Sequence, residues 1–329
     1  PCPQPTGACC FPDGTCSEVT AAECAAQGGA YQGDGTDCDP NPCETVVAFC
    51  EYCVIGIEGV YADPKLWIDG SIVSNGEIVI LGGGNLVDVS GGGEASYGVN
   101  QVVSGDLIHN GAVSIGGGSD INGNVDSGAS IVIGTTVQIQ GNVTAAGSIT
   151  LGGDSYIYGT MTEFGVPLAY TPIPCPPETN FAAGGLPVVK SNGKTTILAP
   201  GSYGKLELGS LNKLYLSSGN YYFTSIKVLN SLKLYLDLTG GPINIYVVGD
   251  VYFGTNMDVY PTGGAGADVY LETHGAFQML GGSDWYGSVF APFGNIVISG
   301  GNNNIFGRLW SCKNVILDDC ITIHCVPCP

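Results

Sequence analysis

Fourteen cysteines are the residues of this 329-residue chain most able to do chemistry, and their spacing sorts them. Cys9, Cys10, Cys16, Cys24, Cys38 and Cys43 fall within thirty-five residues. An even set of this kind in an exported chain makes disulfides, here three, with fifteen connectivities open. Cys50-Glu-Tyr-Cys53 and Cys325-Val-Pro-Cys328 each have the spacing of half a four-thiolate zinc site. They are expected at opposite ends of the fold and in an oxidising compartment, so zinc is not assigned to them. Neither pair precedes a histidine, since Val54 and Pro329 stand there, which excludes c-type haem by pattern. Cys312 and Cys320 flank the strand pattern Val315 to Leu317 and are expected to close its coil, while Cys175 is placed to tether a connector. Cys2 and Cys328 each lie one residue from a chain end, where a cysteine staples the end or reaches another molecule.

The acids and histidines offer less. Asp34, Asp37 and Asp39 supply oxygen ligands for calcium, but the segment lacks the terminal bidentate glutamate and the spacing of an EF-hand loop. Hydrolysis of a glycosidic bond needs two carboxylates flanking it. Asp318-Asp319, the one adjacent acidic pair, falls where a polar corner is expected, and no acid shares a column with the single arginine, Arg308. His109, His274 and His324 are far apart in sequence, and His109, aligned with Ser127 and Ala145, is expected at the surface. With no nucleophile–base set supported by local sequence, the chain reads as a non-enzyme without a cofactor.

What positions these residues is a repeat. Gly105, Gly123, Gly141 and Gly159 are eighteen apart. Behind them recur Leu107, Val125, Val143 and Met161, then Val113, Ile131 and Ile149, then Ile115, Ile133 and Leu151, then Ile121, Ile139 and Ile157. A repeat this short cannot bury its apolar side alone, so successive copies stack. The period-two alternation within Val-Ser-Ile (113–115) or Ile-Thr-Leu (149–151) marks strands. Later the spacing becomes twenty: Leu206, Leu208, Leu214 and Leu216 return as Ile226, Val228, Leu234 and Leu236. The expected fold is all-β, a right-handed parallel β-helix of roughly a dozen coils, on the order of 60 Å long at about 4.8 Å per layer, with a small disulfide-rich module before it. Four segments follow: a cysteine-rich module at 1–44 with one short helix near 20–27, eighteen-residue coils at 45–165, a proline-rich connector at 166–195, and twenty-residue coils at 196–329.

Charge and compartment narrow the partners. Residues 1–185 carry twenty acids and one base, Lys65; the remainder carries nine acids and eight bases. Nine basic residues in all make nucleic-acid binding a poor reading, because phosphate recognition needs a basic footprint. Lys205, Lys213, Lys227 and Lys233 are expected to form a basic stripe, a solvated face or a docking patch for the acidic half of a neighbour. No run approaches eighteen apolar residues, so membrane insertion is not expected. The cysteines and a chain beginning Pro-Cys-Pro point to a secreted or cell-surface protein.

Three resemblances add to this. Residues 7–38, with Gly7-Ala-Cys-Cys and Gly33-Asp-Gly-Thr-Asp-Cys38, resemble a small cysteine-rich module of secreted bacterial proteins. The coils at 105–162 are similar in repeat style to bactofilins, bacterial right-handed β-helices that polymerise end to end without nucleotide. Residues 196–325, with Ala291-Pro292 and Ile323-His324, resemble the β-helical domain of uncharacterised bacterial surface and pilus-associated proteins, although Cys325-Val326 replaces that group's Tyr-Asp. The last resemblance implies surface localisation.

Two functions are expected from these features. The first is a structural subunit that polymerises head to tail through β-helix ends, its partner being a second copy, with Cys2 and Cys328 as candidate locks. The alternative is an adhesin holding a surface glycan on outward tyrosines such as Tyr215, Tyr235 and Tyr252.

Overall fold

A computed structural model describes residues 6–10, 16–27, 30–31, 33–38, 51–167 and 170–327. The chain divides into two compact units, Pro1–Tyr52 and Cys53–Pro329. In the first, strands Gly7–Cys10, Cys16–Val19 and Ala30–Tyr31 form an antiparallel sheet with Gly7–Cys10 in the centre. The helix Ala21–Ala26 starts at a capping box, in which Glu23 N–H donates to Thr20 Oγ1 and Thr20 N–H to Glu23 Oε2. Cys9–Cys24 and Cys16–Cys38 staple it, and Cys10 is also disulfide-bonded. A unit this small buries too little apolar surface to hold without such staples.

The second unit is a parallel β-solenoid. Two thirteen-stranded sheets form two of its sides, and a nine-stranded and a four-stranded sheet share the third. The eighteen-residue columns stack in the expected register: Leu107 on Val125 on Val143, and Ile115 on Ile133 on Leu151. The twenty-residue spacing holds from Leu206 to Ile226, then lengthens, since Ile226 pairs with Val251 and Val251 with Phe277. The added residues enlarge corners and leave the buried columns unbroken.

Strand order shows what the repeat pattern alone does not. Within the first long sheet the order runs from Met161–Thr162 back to Tyr52–Gly56, then directly to Leu309–Ser311, and on to Gly201–Ser202. The two sets of coils are therefore one stack, joined where the first coil meets the last. Val54 pairs with Leu309, Val60 with Val315 and Ile68 with Ile323. Cys53–Cys325 closes this joint, and Lys313 bonds Glu58 across it. The C-x-x-C pairs expected at opposite ends thus have members in contact at mid-stack. The connector returns along the outside. Tyr170 OH donates to Asn75 Oδ1 at 2.6 Å, Ile173 N–H to the same oxygen at 2.9 Å, Cys175 bonds Cys312, and Thr179 N–H donates to Glu272 Oε1 at 2.7 Å. The expected Cys312–Cys320 bridge is corrected by this pairing, whereas the tether expected of Cys175 is present; Cys320 is a free thiol.

Two backbone devices hold the corners. Gly193 and Leu211 near one end, Cys320 and Lys65 at the joint, and Thr136 and Asp154 at the other end all have positive φ. At this corner the N–H of one coil donates to a carbonyl of the next, as Lys65 does to Gly82 at 3.0 Å and Thr136 to Gly153 at 3.0 Å. At a second corner, Asp88 Oδ1 accepts from Asp106 N–H, Asp106 Oδ1 from Asn124 N–H, and Asn124 Oδ1 from Asn142 N–H, at 2.8, 2.6 and 2.9 Å. These bonds satisfy corner N–H groups that no ladder reaches.

Candidate assembly ends and the tyrosine groove

Each end of the stack exposes strands paired on one side only. At the acidic end these are Ile149–Leu151, Tyr156–Ile157 and Met161–Thr162. Their core columns are unfinished: Leu151 is 43% and Met161 52% exposed, while Ile133 and Val143, one coil inward, are at 2% and 0%. Glu163 Oε1 accepts the Ile149 N–H at 2.7 Å, standing in for the carbonyl of a further coil, as Ser148 supplies to Ile131. The turn Glu163–Gly165 extends over the corner below, with Phe164 N–H donating to Gly147 and Gly165 N–H to Ala145. At the other end the open strands are Val188–Lys190, Thr195–Leu198 and Gly201–Ser202. Val189 and Ile197 are exposed, and Lys190 occupies the column that Leu208 fills one coil inward.

Charge differs between these ends. Asp154 and Glu163 belong to the first, whose coils contain no base. Lys190, Lys194, Lys205 and Lys213 belong to the second; Lys205 bonds Glu207 at 2.7 Å and holds its carboxyl below the usual range. The stripe expected of four lysines is divided. Lys213 and Lys233 adjoin on the four-stranded sheet, whereas Lys227 lies beside Glu207 on a long sheet.

The tyrosines also regroup. Tyr215, Tyr235 and Tyr260 form a file on the four-stranded sheet, with ring centroids 4.3 and 4.9 Å apart and near-parallel planes. They line a groove of about 480 Å³ with Ser217, Asp237 and Thr239 on its rim. Tyr252 lies elsewhere, beside Lys227 and Gln278 on a long sheet. Because the rings stack on one another, both faces of Tyr235 are covered, and the groove presents ring edges and hydroxyls. A sugar that packs on an aromatic face finds little here.

His109, expected at the surface, is in the core at 1% exposure. Gly91 stands beside it in the neighbouring coil, where a Cβ would come within 2.6 Å of Nδ1, and Tyr97 OH lies 2.7 Å from Nε2. Burial lowers its pKa to about 3. Sequence reasoning also missed Glu272, fully buried under the connector, which accepts from Thr179 Oγ1 at 2.6 Å and Tyr270 OH at 3.0 Å and lies 3.1 Å from His274 Nε2. Phe181 packs on His274, with ring centroids 4.4 Å apart. This cluster anchors the connector. Burial and the adjacent Glu272 push the Tyr270 hydroxyl well above its ordinary pKa.

The remaining site residues are separate. Asp34 accepts from Tyr31 OH at 2.8 Å; Asp39, with Cys2, Cys43, Cys50 and Cys328, lies outside the described residues. Cys53, Asp69 and Cys325 form the one group with metal-ligand spacing among the described residues. Two of them are joined as a disulfide, and Asp69 accepts from Cys325 N–H at 2.5 Å. Arg308 Nε donates to the Val326 carbonyl at 2.8 Å, so its side chain braces the chain's last described residues.

No helix among the described residues is long and apolar enough to cross a membrane. No family model matches the chain, and no curated protein does. Among solved structures it is similar to an ice binding protein from an Antarctic bacterium, Flavobacteriaceae, at 13% identity and a TM-score of 0.31, covering 85% of this chain and 98% of that one. It is likewise similar to an ice binding protein from an Antarctic biological consortium, at 13% identity and a TM-score of 0.33, covering 84% and 88%.

Proposed function

We propose that this protein is a subunit of an extracellular structural assembly that grows head to tail through the two ends of its solenoid. One observation carries the reading: at both ends parallel strands stop with unpaired edges, and at the acidic end the apolar columns that end in Leu151 and Met161 are left uncovered. Uncovered edges pair with another chain, and a contact between unlike ends that does not close a ring produces a filament. The disulfides match an oxidising compartment outside the cytosol. The glycan-holding alternative is supported less well, because the stacked tyrosines cover one another's faces. Electron microscopy and sedimentation of purified protein over a concentration series test the assembly. Fibres one solenoid wide are expected, and a monomer at every concentration removes the reading.

A further inference from the structure

The mid-stack joint shows how two coils with no chain connection between them dock in this fold, and the outer ends repeat its ingredients. In the joint the order along a coil is second long sheet, third side, first long sheet, and each strand meets its counterpart in register. The acidic end offers Ile149–Leu151, Tyr156–Ile157 and Met161–Thr162 in that order. The lysine end offers Val188–Lys190, Thr195–Leu198 and Gly201–Ser202 in the same order. All thirteen strands of each long sheet are parallel and advance in one direction along the axis. A second copy placed beneath the acidic end therefore continues the winding without reversal, which like-with-like pairing of ends does not.

Resting on the head-to-tail reading, we propose that the register of the junction is set by the left-handed corner and an ion pair: Asp154 of one copy meets Asn192 and Lys190 of the next. The corner N–H of one coil donates to the carbonyl preceding the left-handed residue of the following coil, as Thr136 does to Gly153, ahead of Asp154. Asp154 is the last such residue at its end, and Gly193, preceded by Asn192, is the first at the other. Continuing the ladder joins Asp154 N–H to the Asn192 carbonyl. The same register sets Leu151 against Lys190. The aliphatic stem of Lys190 then covers Leu151, and its ammonium reaches the corner that Asp154 occupies, the arrangement long basic side chains favour at apolar edges. Lys190 exposed in a core column disfavours any partner without an acid there, so it selects the acidic end over a second lysine end. The turn Glu163–Gly165 already fills one corner of the next layer, and the incoming copy supplies the strands.

Zero-length carbodiimide cross-linking of wild-type fibres, read by mass spectrometry, tests this directly. A Lys190–Asp154 link is expected, and because the two residues lie at opposite ends of one subunit it reports a contact between copies. In parallel, Lys190→Glu and Asp154→Lys should each raise the critical concentration for fibre formation about tenfold or more, with the double variant restoring it. Fibres that assemble equally well in both single variants and yield no such link overturn the register while leaving head-to-tail growth in place. Single variants that weaken assembly without recovery in the double variant overturn the ion pair. Wild-type protein that never assembles removes the reading beneath both. Circular dichroism of each variant confirms the strand spectrum, since both positions are at the surface of the terminal coils.

Discussion

At the residue scale, the buried His109 shows how a column tolerates a polar group. Its neighbours across the sheet are Gly91 and Ser127, small enough to leave room for the ring. Its folded pKa of about 3 lies below the ordinary histidine value of 6.5. The unfolded chain therefore binds the proton more readily, so stability from this group is present above about pH 6.5 and is lost as the pH falls toward 3. Denaturant unfolding of wild type and His109→Gln across this range should show the steeper acid loss in the wild type, by up to a few kcal/mol at the acid limit. Parallel pH profiles would show that the ring becomes solvated before the fold is lost. The alignment of His109 with Ser127 and Ala145 reads as a surface column, but those residues are small and the column is buried. The depth of its position depends on strand register, and the small residues beside it, Gly91 and Ser127, are a usable signal that the column has space.

At the element scale, the repeating strands were legible and the corners were not. Apolar spacing at 107, 125 and 143 states which side chains face inward, and period two states that the segments are strands. The left-handed corners left a weaker trace, because glycine, asparagine, leucine, lysine and threonine all occupy them. Thr136 is the costly case, a β-branched residue at φ +58°. Thr136→Asn should stabilise the protein by about 0.5–1 kcal/mol, since asparagine tolerates this conformation, and a thermal melt that moves down instead would show that the bond from Thr136 Oγ1 to the Thr135 carbonyl matters more. The connector was legible as an extended proline-rich segment, but its path was not, because its contacts with Asn75, Cys312 and Glu272 are distant in sequence. Replacing Cys175 and Cys312 together by serine should lower unfolding stability by about 2–4 kcal/mol, as expected for a disulfide closing a long loop. An unchanged denaturation midpoint would mean that Asn75 and Glu272 hold the connector unaided.

At the scale of the whole molecule, a solenoid of about a dozen coils was legible, and the order in which its coils stack was not. The pattern of inward residues is the same on either side of a joint, so sequence periodicity does not reveal which coil edge meets which. Thirteen layers at about 4.8 Å give a fibre with an axial repeat of about 60 Å per subunit, which diffraction from aligned fibres or helical reconstruction measures. A repeat near half that value would mean side-by-side overlap. The described cysteines of the joint and connector lie along the stack and none belongs to a terminal strand, so reductant alone should leave the axial repeat unchanged. Fibres that dissolve into monomers on reduction would instead place a covalent link between copies and point to Cys2 or Cys328.

The meeting of first and last coils at mid-stack has a consequence for how the chain is made. Coils 54–162 can wind as they emerge during synthesis, but the upper surface of the first coil stays uncovered until the residues around Leu309 to Ile323 exist. The centre of the rod is thus the last part to close, and it depends on the contacts most distant along the chain, which are the slowest kind to form. A rearranged solenoid in which the coil that holds Ile323 leads directly into the coil that holds Val54, opened in the connector and made without residues 1–52, would place the coils in axial order and make every stacking contact local. Such a rearranged chain should refold faster than the present order while reaching the same solenoid, whereas in the present order the delay keeps the edge of the first coil uncovered until residues 309–323 have been made.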